Sequence, residues 1–191
     1  MGISPEVVKA QIDAVFADIG VDAVKIGMLF NADIARAVAA SLRQHKPRHI
    51  VLDPVMISTS GSQLIDNDAI EVLLGELMPI SSIITPNRHE AERIASMPIA
   101  CAADIEPAAR KILAAGAKAV LMKGGHFSGD EMTDWLYLQG VDRPYVFSSP
   151  FCDTQNTHGT GCTLSSAIAS FLALGNSLPS AVEKAQRYLS Q

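Results

Sequence analysis

The sequence lacks any run of about 18 uninterrupted apolar residues, the length at which a membrane-spanning helix is expected. Its first residues also lack the basic-then-apolar pattern of a secretory signal. The 15 Lys and Arg residues form no cluster and are outnumbered by 20 Asp and Glu, which argues against binding to nucleic acid or to an anionic membrane surface. We therefore expect a cytoplasmic protein that binds a small molecule.

Paired cysteines are also absent. The three cysteines form no C-x-x-C motif, so the sequence suggests neither a disulfide framework nor a thiolate zinc site. His126 and His158 lack the spacing of metal ligands. The Walker pattern is missing because Asp130, rather than Lys-Ser or Lys-Thr, follows Gly124 to Gly129. A nucleotide site, if present, must be built in another way.

What the sequence does contain is an alternation of short apolar strand patterns and amphipathic helix patterns. The predicted parallel strands lie near Ala23, Ile50, Ile83 and Ala119. Segments around Trp135 and Tyr145 predict an antiparallel hairpin at the edge of the same sheet. With 48% hydrophobic residues, the 191-residue chain predicts one α/β domain over residues 1–191, a three-layer αβα sandwich with a mostly parallel sheet.

Residues 156–163, Asn-Thr-His-Gly-Thr-Gly-Cys-Thr, precede an apolar helical run. Gly159 and Gly161 free the backbone, and the first N–H groups of the following helix have no intrahelical acceptor. Such a helix end attracts anions, above all a phosphate that gains negative charge during a reaction. A bare Gly-x-Gly more often marks a plain loop-to-helix entry, so this interpretation depends on other motifs.

Polar residues follow the predicted strands, and the carboxyl ends of parallel strands share one edge of a sheet, where ligands bind. These residues are Asp53, Asn87 with Glu90, and Lys123 with the glycines after it. Each has a simpler explanation. Asn87 and Glu90 fit a helix capping box, Asp53 a turn, and Lys123 a solvated charge. Met28, after the first strand, is of a residue type that more often belongs to a core than to a pocket.

Four segments together resemble the hydroxymethylpyrimidine/phosphomethylpyrimidine kinases of thiamine biosynthesis, which belong to the ribokinase-like kinases. They are Leu-Asp-Pro-Val-Met at 52–56, Thr-Pro-Asn-Arg-His-Glu at 85–90, Leu-Met-Lys-Gly-Gly-His at 121–126, and the segment at 156–163. The resemblance extends from about Pro5 to the last helix. It implies a ribokinase-like fold, ATP and Mg²⁺ as cofactors, and a small pyrimidine substrate.

The resemblance also implies a role for particular residues. It assigns the catalytic anion hole and proton acceptor to Gly159, Thr160, Gly161 and Cys162. It assigns contacts with the nucleotide to Asn87, Glu90, Lys123, Gly125 and Thr157. It assigns Mg²⁺ to Asp53 and Glu90, and the pyrimidine pocket to Met28 and Val55.

The physical requirements of phosphoryl transfer agree with this assignment. The reaction needs positioning and charge stabilisation, which carboxylates for Mg²⁺, a lysine and helix-end N–H groups supply. A helix N-terminus favours the thiolate of a cysteine, so Cys162 is predicted to accept the proton of the substrate hydroxymethyl group. The second phosphorylation acts on a phosphate that is already anionic and needs no base. A pyridoxal-type kinase and a non-catalytic nucleotide-binding fragment are the alternatives.

The ends of the sequence differ from the pattern of the family. No counterpart of the family's first strand, glycine-rich turn and helix precedes Ile3, and a closing helix is expected beyond the last residue. The resemblance therefore predicts an N-terminally incomplete domain with slow turnover. It also predicts an unpaired sheet edge, which favours a homodimer.

Overall fold

In the computed structural model, residues 2–56, 63–124, 131–150 and 159–190 are described. The helices are α1 (Pro5–Asp18), α2 (Ala32–His45), α3 (Asn67–Val72), α4 (Arg88–Ala95), α5 (Ile105–Ala114), α6 (Thr160–Ala173) and α7 (Leu178–Leu189). The strands are β1 (Ala23–Ile26), β2 (His49–Leu52), β3 (Ile83–Ile84), β4 (Ala119–Lys123), β5 (Glu131–Leu138) and β6 (Tyr145–Pro150).

The strands form one six-stranded sheet in chain order, β1-β2-β3-β4-β5-β6. Strands β1 to β4 are parallel to one another. Strand β5 is antiparallel to β4, and β6 is antiparallel to β5. This confirms both the four parallel strands and the edge hairpin. The hairpin is longer than its sequence pattern suggested, because β5 pairs with β6 from Glu131 onward.

Alternate side chains of the parallel strands enter two separate cores. Ile50 and Leu52 belong to a core with α2, α3, α4 and α5, whereas Val51 between them belongs to a core with α6 and α7. Successive residues of a strand face opposite sides of a sheet, so each strand contributes to both cores. The result is the predicted three-layer αβα sandwich.

Side chains cap several helices, at residues of the types that favour a helix start. Asn31 accepts a hydrogen bond from the N–H of Ile34 at 3.0 Å, and Asp66 accepts one from the N–H of Ala69 at 2.8 Å. The helix that Asp66 begins does not stay regular. It widens into a π-helix over Leu73–Leu77 and ends as a 3₁₀ turn over Met78–Ile80, which contains Pro79. Proline has no N–H for an α-helical bond, so the helix cannot continue regularly through it.

None of the helices in the described residues is both long enough and apolar enough to cross a bilayer. The Ser, Thr and Gly residues at 58–62 predict a loop after β2, and this segment lies outside the described residues.

An acidic residue at the centre of a polar group holds α1 against α2. Asp13 Oδ1 accepts a hydrogen bond from Ser41 Oγ at 2.9 Å and lies 2.8 Å from His45 Nε2. Asp13 Oδ2 pairs with Lys9, and the Phe16 ring stacks on the His45 ring with centroids 4.4 Å apart. The hydrogen bonds from Lys9 and His45 lower the pKa of Asp13 to about 2.

This depressed pKa predicts how the α1–α2 contact responds to acid. The contribution of Asp13 to stability is present above its unfolded pKa of about 3.9 and is lost as the pH falls through its folded pKa. We expect Asp13→Asn to unfold at lower urea concentration than the wild type at pH 7, with the difference shrinking between about pH 4 and pH 2.

Urea titrations at several pH values measure this difference. Asp33→Asn is the control, because Asp33 is an exposed residue of α2 whose ion pair with Arg36 contributes little. A difference between wild type and Asp13→Asn that stays constant with pH would contradict the account.

Candidate functional site

Helix α6 begins where the sequence placed its anion site. Gly159 precedes the helix with a φ of 83°, and nothing within 4 Å would meet a Cβ there, so its left-handed backbone rather than crowding calls for glycine. The first intrahelical hydrogen bond runs from the N–H of Thr163 to the carbonyl of Gly159 at 2.8 Å. The N–H groups of Gly161 and Cys162 precede it, in the turn where the helix dipole favours anions. Cys162 is exposed there.

The ammonium group of Lys123 lies beside this helix start. Lys123 Nζ is 3.5 Å from Asp53 Oδ1, and it is 3.4 Å from the position that a Cβ on Gly161 would occupy. Three residues from three motifs are therefore in one place, at the carboxyl edge of the sheet. A larger residue at position 161 would crowd the ammonium group.

Two hydroxyl groups hold the carboxylate of Asp53, which is only 3% exposed. Thr85 Oγ1 donates to Asp53 Oδ1 at 3.3 Å, and Ser165 Oγ lies 3.2 Å from Asp53 Oδ2. Ser165 Oγ also lies 3.0 Å from the carbonyl of Gly161, so it connects Asp53 to the first turn of α6. Neither hydroxyl was predicted as a site residue. The sequence could have indicated Ser165, because it is a polar residue between Leu164 and Ile168 on the apolar face of α6.

Glu90 forms the capping box that was its simpler explanation. Its Oε2 accepts from the N–H of Asn87 at 2.8 Å, and Asn87 Oδ1 accepts from the N–H of Glu90 at 2.9 Å. Glu90 Oε1 accepts from the N–H of Met56 at 3.2 Å. Burial raises the pKa of Glu90, while the two backbone N–H groups and the charge of Lys123 act in the opposite direction.

The residues present suit a metal that arrives with a nucleotide better than one held by protein alone. In the described part of the chain, no three His, Cys, Asp or Glu side chains are grouped as a metal site. Mg²⁺ commonly takes one or two carboxylates and completes its shell with water and substrate phosphates. Asp53 and Glu90 carry carboxylate oxygens of the kind that Mg²⁺ prefers. The Mg²⁺ role of these two residues remains a prediction.

The remaining predicted residues are less fully placed. Met28 is 58% exposed, so its alternative interpretation as a core residue is wrong. Val55 is half-buried and its N–H donates to the carbonyl of Asp53 at 2.8 Å. Gly125 and Thr157 lie outside the described residues.

Gly124 is glycine for a reason of space. A Cβ at this position would lie 2.0 Å from the carbonyl oxygen of Thr133 and 2.1 Å from the ring of Trp135. The end of β4 therefore passes so close to β5 that only glycine fits directly after Lys123. Glycine and polar residues after a strand predict a flexible loop here, whereas Gly124, the first residue of that segment, is tightly enclosed.

The chain matches the family model described as phosphomethylpyrimidine kinase over residues 1–191. It is 44% identical to the hydroxymethylpyrimidine/phosphomethylpyrimidine kinase of Salmonella typhimurium, covering 98% of this chain and 70% of that protein. It is 43% identical to the thiamine biosynthesis bifunctional protein ThiED of Geobacter sulfurreducens, covering 99% of this chain but only 38% of that longer protein.

Solved structures are similar as well. The phosphomethylpyrimidine kinase of Clostridium difficile matches with a TM-score of 0.85 and 39% identity, covering 98% of this chain and 76% of that one. The pyridoxal kinase of Staphylococcus aureus, solved with AMP-PCP and pyridoxal, matches with a TM-score of 0.88 and 26% identity. This match covers 100% of this chain and 68% of the pyridoxal kinase chain.

The enclosure of Gly124 predicts a contrast between two glycines. Gly124→Ala should destabilise the fold by about 1–3 kcal/mol or more, because neither a backbone carbonyl nor a packed ring can move away easily. Gly75→Ala is the control, since nothing lies within 4 Å of its added Cβ and Gly75 is helical. There alanine should stabilise by up to about 1 kcal/mol. Chemical denaturation measures both, and equal effects would contradict this account of Gly124.

The capping box predicts that Glu90→Gln weakens the fold even without nucleotide. Each carboxylate oxygen of Glu90 accepts from one backbone N–H, that of Asn87 or that of Met56. Glutamine has only one side-chain oxygen, so one of these N–H groups would face an amide NH₂ instead. The expected loss is about 1–3 kcal/mol in the free energy of unfolding. Glu92→Gln on the same helix is the control, because its retained oxygen still accepts from the N–H of Ile99. A Glu90→Gln protein as stable as Glu92→Gln would contradict the capping role.

Proposed function

Because the chain belongs to the phosphomethylpyrimidine kinase family, we propose that it transfers the γ-phosphoryl group of ATP to 4-amino-5-hydroxymethyl-2-methylpyrimidine, and then a second to the monophosphate, in thiamine biosynthesis. One observation supports this most directly. The ammonium group of Lys123 lies beside Gly161 at the start of α6, so a cation and helix-end N–H groups face the same point.

This arrangement supplies what phosphoryl transfer requires. The transferred group spreads negative charge over its oxygens, and preorganised positive groups stabilise that charge more than they stabilise the substrate. Lys123 and the N–H groups of Gly161 and Cys162 are such groups. Mg²⁺ bound with ATP supplies further positive charge, and Asp53 and Glu90 are the residues proposed to hold it.

The two phosphorylations differ in the proton that must be removed. A hydroxymethyl oxygen carries a proton that has to leave as the new bond to phosphorus forms, whereas a phosphate oxygen is already anionic. Cys162 is exposed in the first turn of α6, beside the N–H groups proposed to stabilise the transferred phosphoryl group. We assign it as the proton acceptor of the first reaction alone.

The proposed substrate wall includes Met28 and Val55, which follow β1 and β2 at the same edge of the sheet. The cytoplasmic location, the single domain over residues 1–191 and the homodimer remain predictions of the sequence. Pyridoxal serves as the comparison substrate, since pyridoxal kinases share the fold.

The proton argument predicts that Cys162→Ala separates the two reactions. The rate of phosphorylation of hydroxymethylpyrimidine should fall by about 10²–10⁴, the usual contribution of a general base, while that of the monophosphate should change far less. Steady-state assays with each substrate, with pyridoxal in parallel, measure the rates.

Cys101→Ala is the matched control, because Cys101 is also an exposed cysteine but lies next to Asp104, before α5. An equal loss in both reactions would show that Cys162 does not act as a base. Faster turnover of pyridoxal than of the pyrimidine would contradict the proposed substrate.

A further inference from the structure

A carboxylate that the proposed chemistry does not use lies next to the nucleotide edge. Asp134 is on β5, directly opposite Lys123 of β4 in the antiparallel register. Its Oδ1 accepts a hydrogen bond from the N–H of Gly124 at 3.1 Å, and its Oδ2 accepts one from Gln186 Nε2 at 2.7 Å. Asp134 therefore joins the residue after Lys123 to helix α7.

The surroundings of Asp134 show that these bonds are needed. Burial raises the pKa of Asp134, and the bonds from Gln186 and Gly124, together with the charge of Lys123, oppose that rise. A buried carboxylate without such donors is strongly unfavourable. The chain therefore keeps a half-buried acidic group whose two oxygens accept from one backbone N–H and one side-chain amide.

The backbone around Lys123 is held from both sides. The N–H of Lys123 donates to the carbonyl of Pro86 at 3.3 Å on the β3 side, and the next N–H, that of Gly124, donates to Asp134 on the β5 side. The ring of Trp135 packs against Gly124. The peptide that follows Lys123 thus has a defined orientation, and the Lys123 side chain starts from a defined point.

The second partner of Asp134 extends this control to the other half of the phosphate site. Gln186 is on α7, which shares an apolar core with α6 through Ala181, Val182, Ile168 and Leu172. The start of α6 carries the anion-binding turn. The bonds of Asp134 to Gly124 and to Gln186 together therefore link the end of β4, which carries Lys123, to the pair of helices that carries Gly161.

We propose that Asp134 and Gln186 are positioning residues for the nucleotide, and that together they hold Lys123 at its place beside the first turn of α6. This inference rests on the proposed function. Neither residue contacts the reacting groups. Their effect passes through Gly124 and α7, so their loss misplaces Lys123 relative to Gly161 without removing either group.

Variants of Asp134 distinguish positioning from simple stability. Asp134→Ala removes the acceptor of the Gly124 N–H. Asp134→Asn keeps a side-chain carbonyl oxygen that accepts from the Gly124 N–H. Its NH₂ group donates to the side-chain oxygen Oε1 of Gln186 after the Gln186 side-chain amide flips by 180°. Gln186→Ala removes only the link to α7, from a half-buried position on the helix surface where folding is expected to survive.

The matched control is Ser82→Ala. Ser82 Oγ accepts from the N–H of Ile50 at 3.2 Å at the amino ends of β2 and β3, the opposite end of the strands from Lys123. This substitution also removes a side-chain acceptor from a strand N–H. It reports what such a loss does to the protein when the nucleotide edge is untouched.

The experiment measures the KM for Mg-ATP and kcat with hydroxymethylpyrimidine, at a temperature where each variant is folded by circular dichroism. Trp135 is the chain's single tryptophan, so its fluorescence also reports direct Mg-ATP titrations. We expect Asp134→Ala and Gln186→Ala to lower kcat/KM for Mg-ATP by about tenfold to a hundredfold, because a misplaced Lys123 stabilises the transferred phosphoryl group less well. Asp134→Asn should remain close to wild type, and Ser82→Ala should lower only the melting temperature.

Unchanged kcat/KM values for Mg-ATP in folded Asp134→Ala and Gln186→Ala would overturn the inference, as would an Asp134→Asn variant as impaired as Asp134→Ala. If the wild type binds Mg-ATP but does not phosphorylate the pyrimidine, the proposed function fails. The fluorescence titrations then decide the inference alone, with weaker binding in the two alanine variants supporting it and equal binding overturning it. A wild type that does not bind Mg-ATP overturns both.

Discussion

The ammonium group of Lys123 is the positive charge around which the carboxyl edge of the sheet is arranged. It lies 3.5 Å from the buried carboxylate of Asp53, and its charge opposes the rise in the pKa of both Glu90 and Asp134. Buried carboxylates are tolerated only when they are paired or hydrogen-bonded. Each of the three has backbone N–H, hydroxyl or amide donors in addition to the nearby lysine. The Lys123 side chain is 20% exposed, so its charge is also available to a phosphate.

The apolar layers explain why these polar groups meet. Strands β2, β3 and β4 are parallel, and their alternating side chains are covered by helices on both faces. Their carboxyl ends consequently lie at one edge, where the residues after each strand have no further ladder to join. Helix α6 packs on the same sheet and brings its N-terminus to that edge. Ser165 joins the two by approaching both Asp53 and Gly161.

Local sequence patterns predicted most of this architecture. The parallel strands, the edge hairpin and the helix starts at Asn31, Asp66 and Asn87 follow from periodicity and capping chemistry, which depend on residues close together in the chain. The contacts of Ser165 with Asp53 and of Asp134 with Gln186 join residues that are 112 and 52 positions apart. Such pairs depend on the tertiary arrangement. A local pattern marks Ser165 as a polar residue on an apolar helix face, but it cannot identify the partner of Ser165 or of Asp134.

The most direct test of this account is a crystal structure of the protein with Mg²⁺ and a non-hydrolysable ATP analogue. The account predicts that the terminal phosphate lies within hydrogen-bond distance of Lys123 Nζ and of the N–H groups of Gly161 and Cys162. It also predicts that the Asp134 bonds to Gly124 and Gln186 remain in place. An open groove between α6 and α7, lined by Phe171, Lys184, Arg187 and Tyr188, offers the analogue another cationic surface. Phosphates bound in that groove, with Lys123 left without a phosphate contact, would contradict the account.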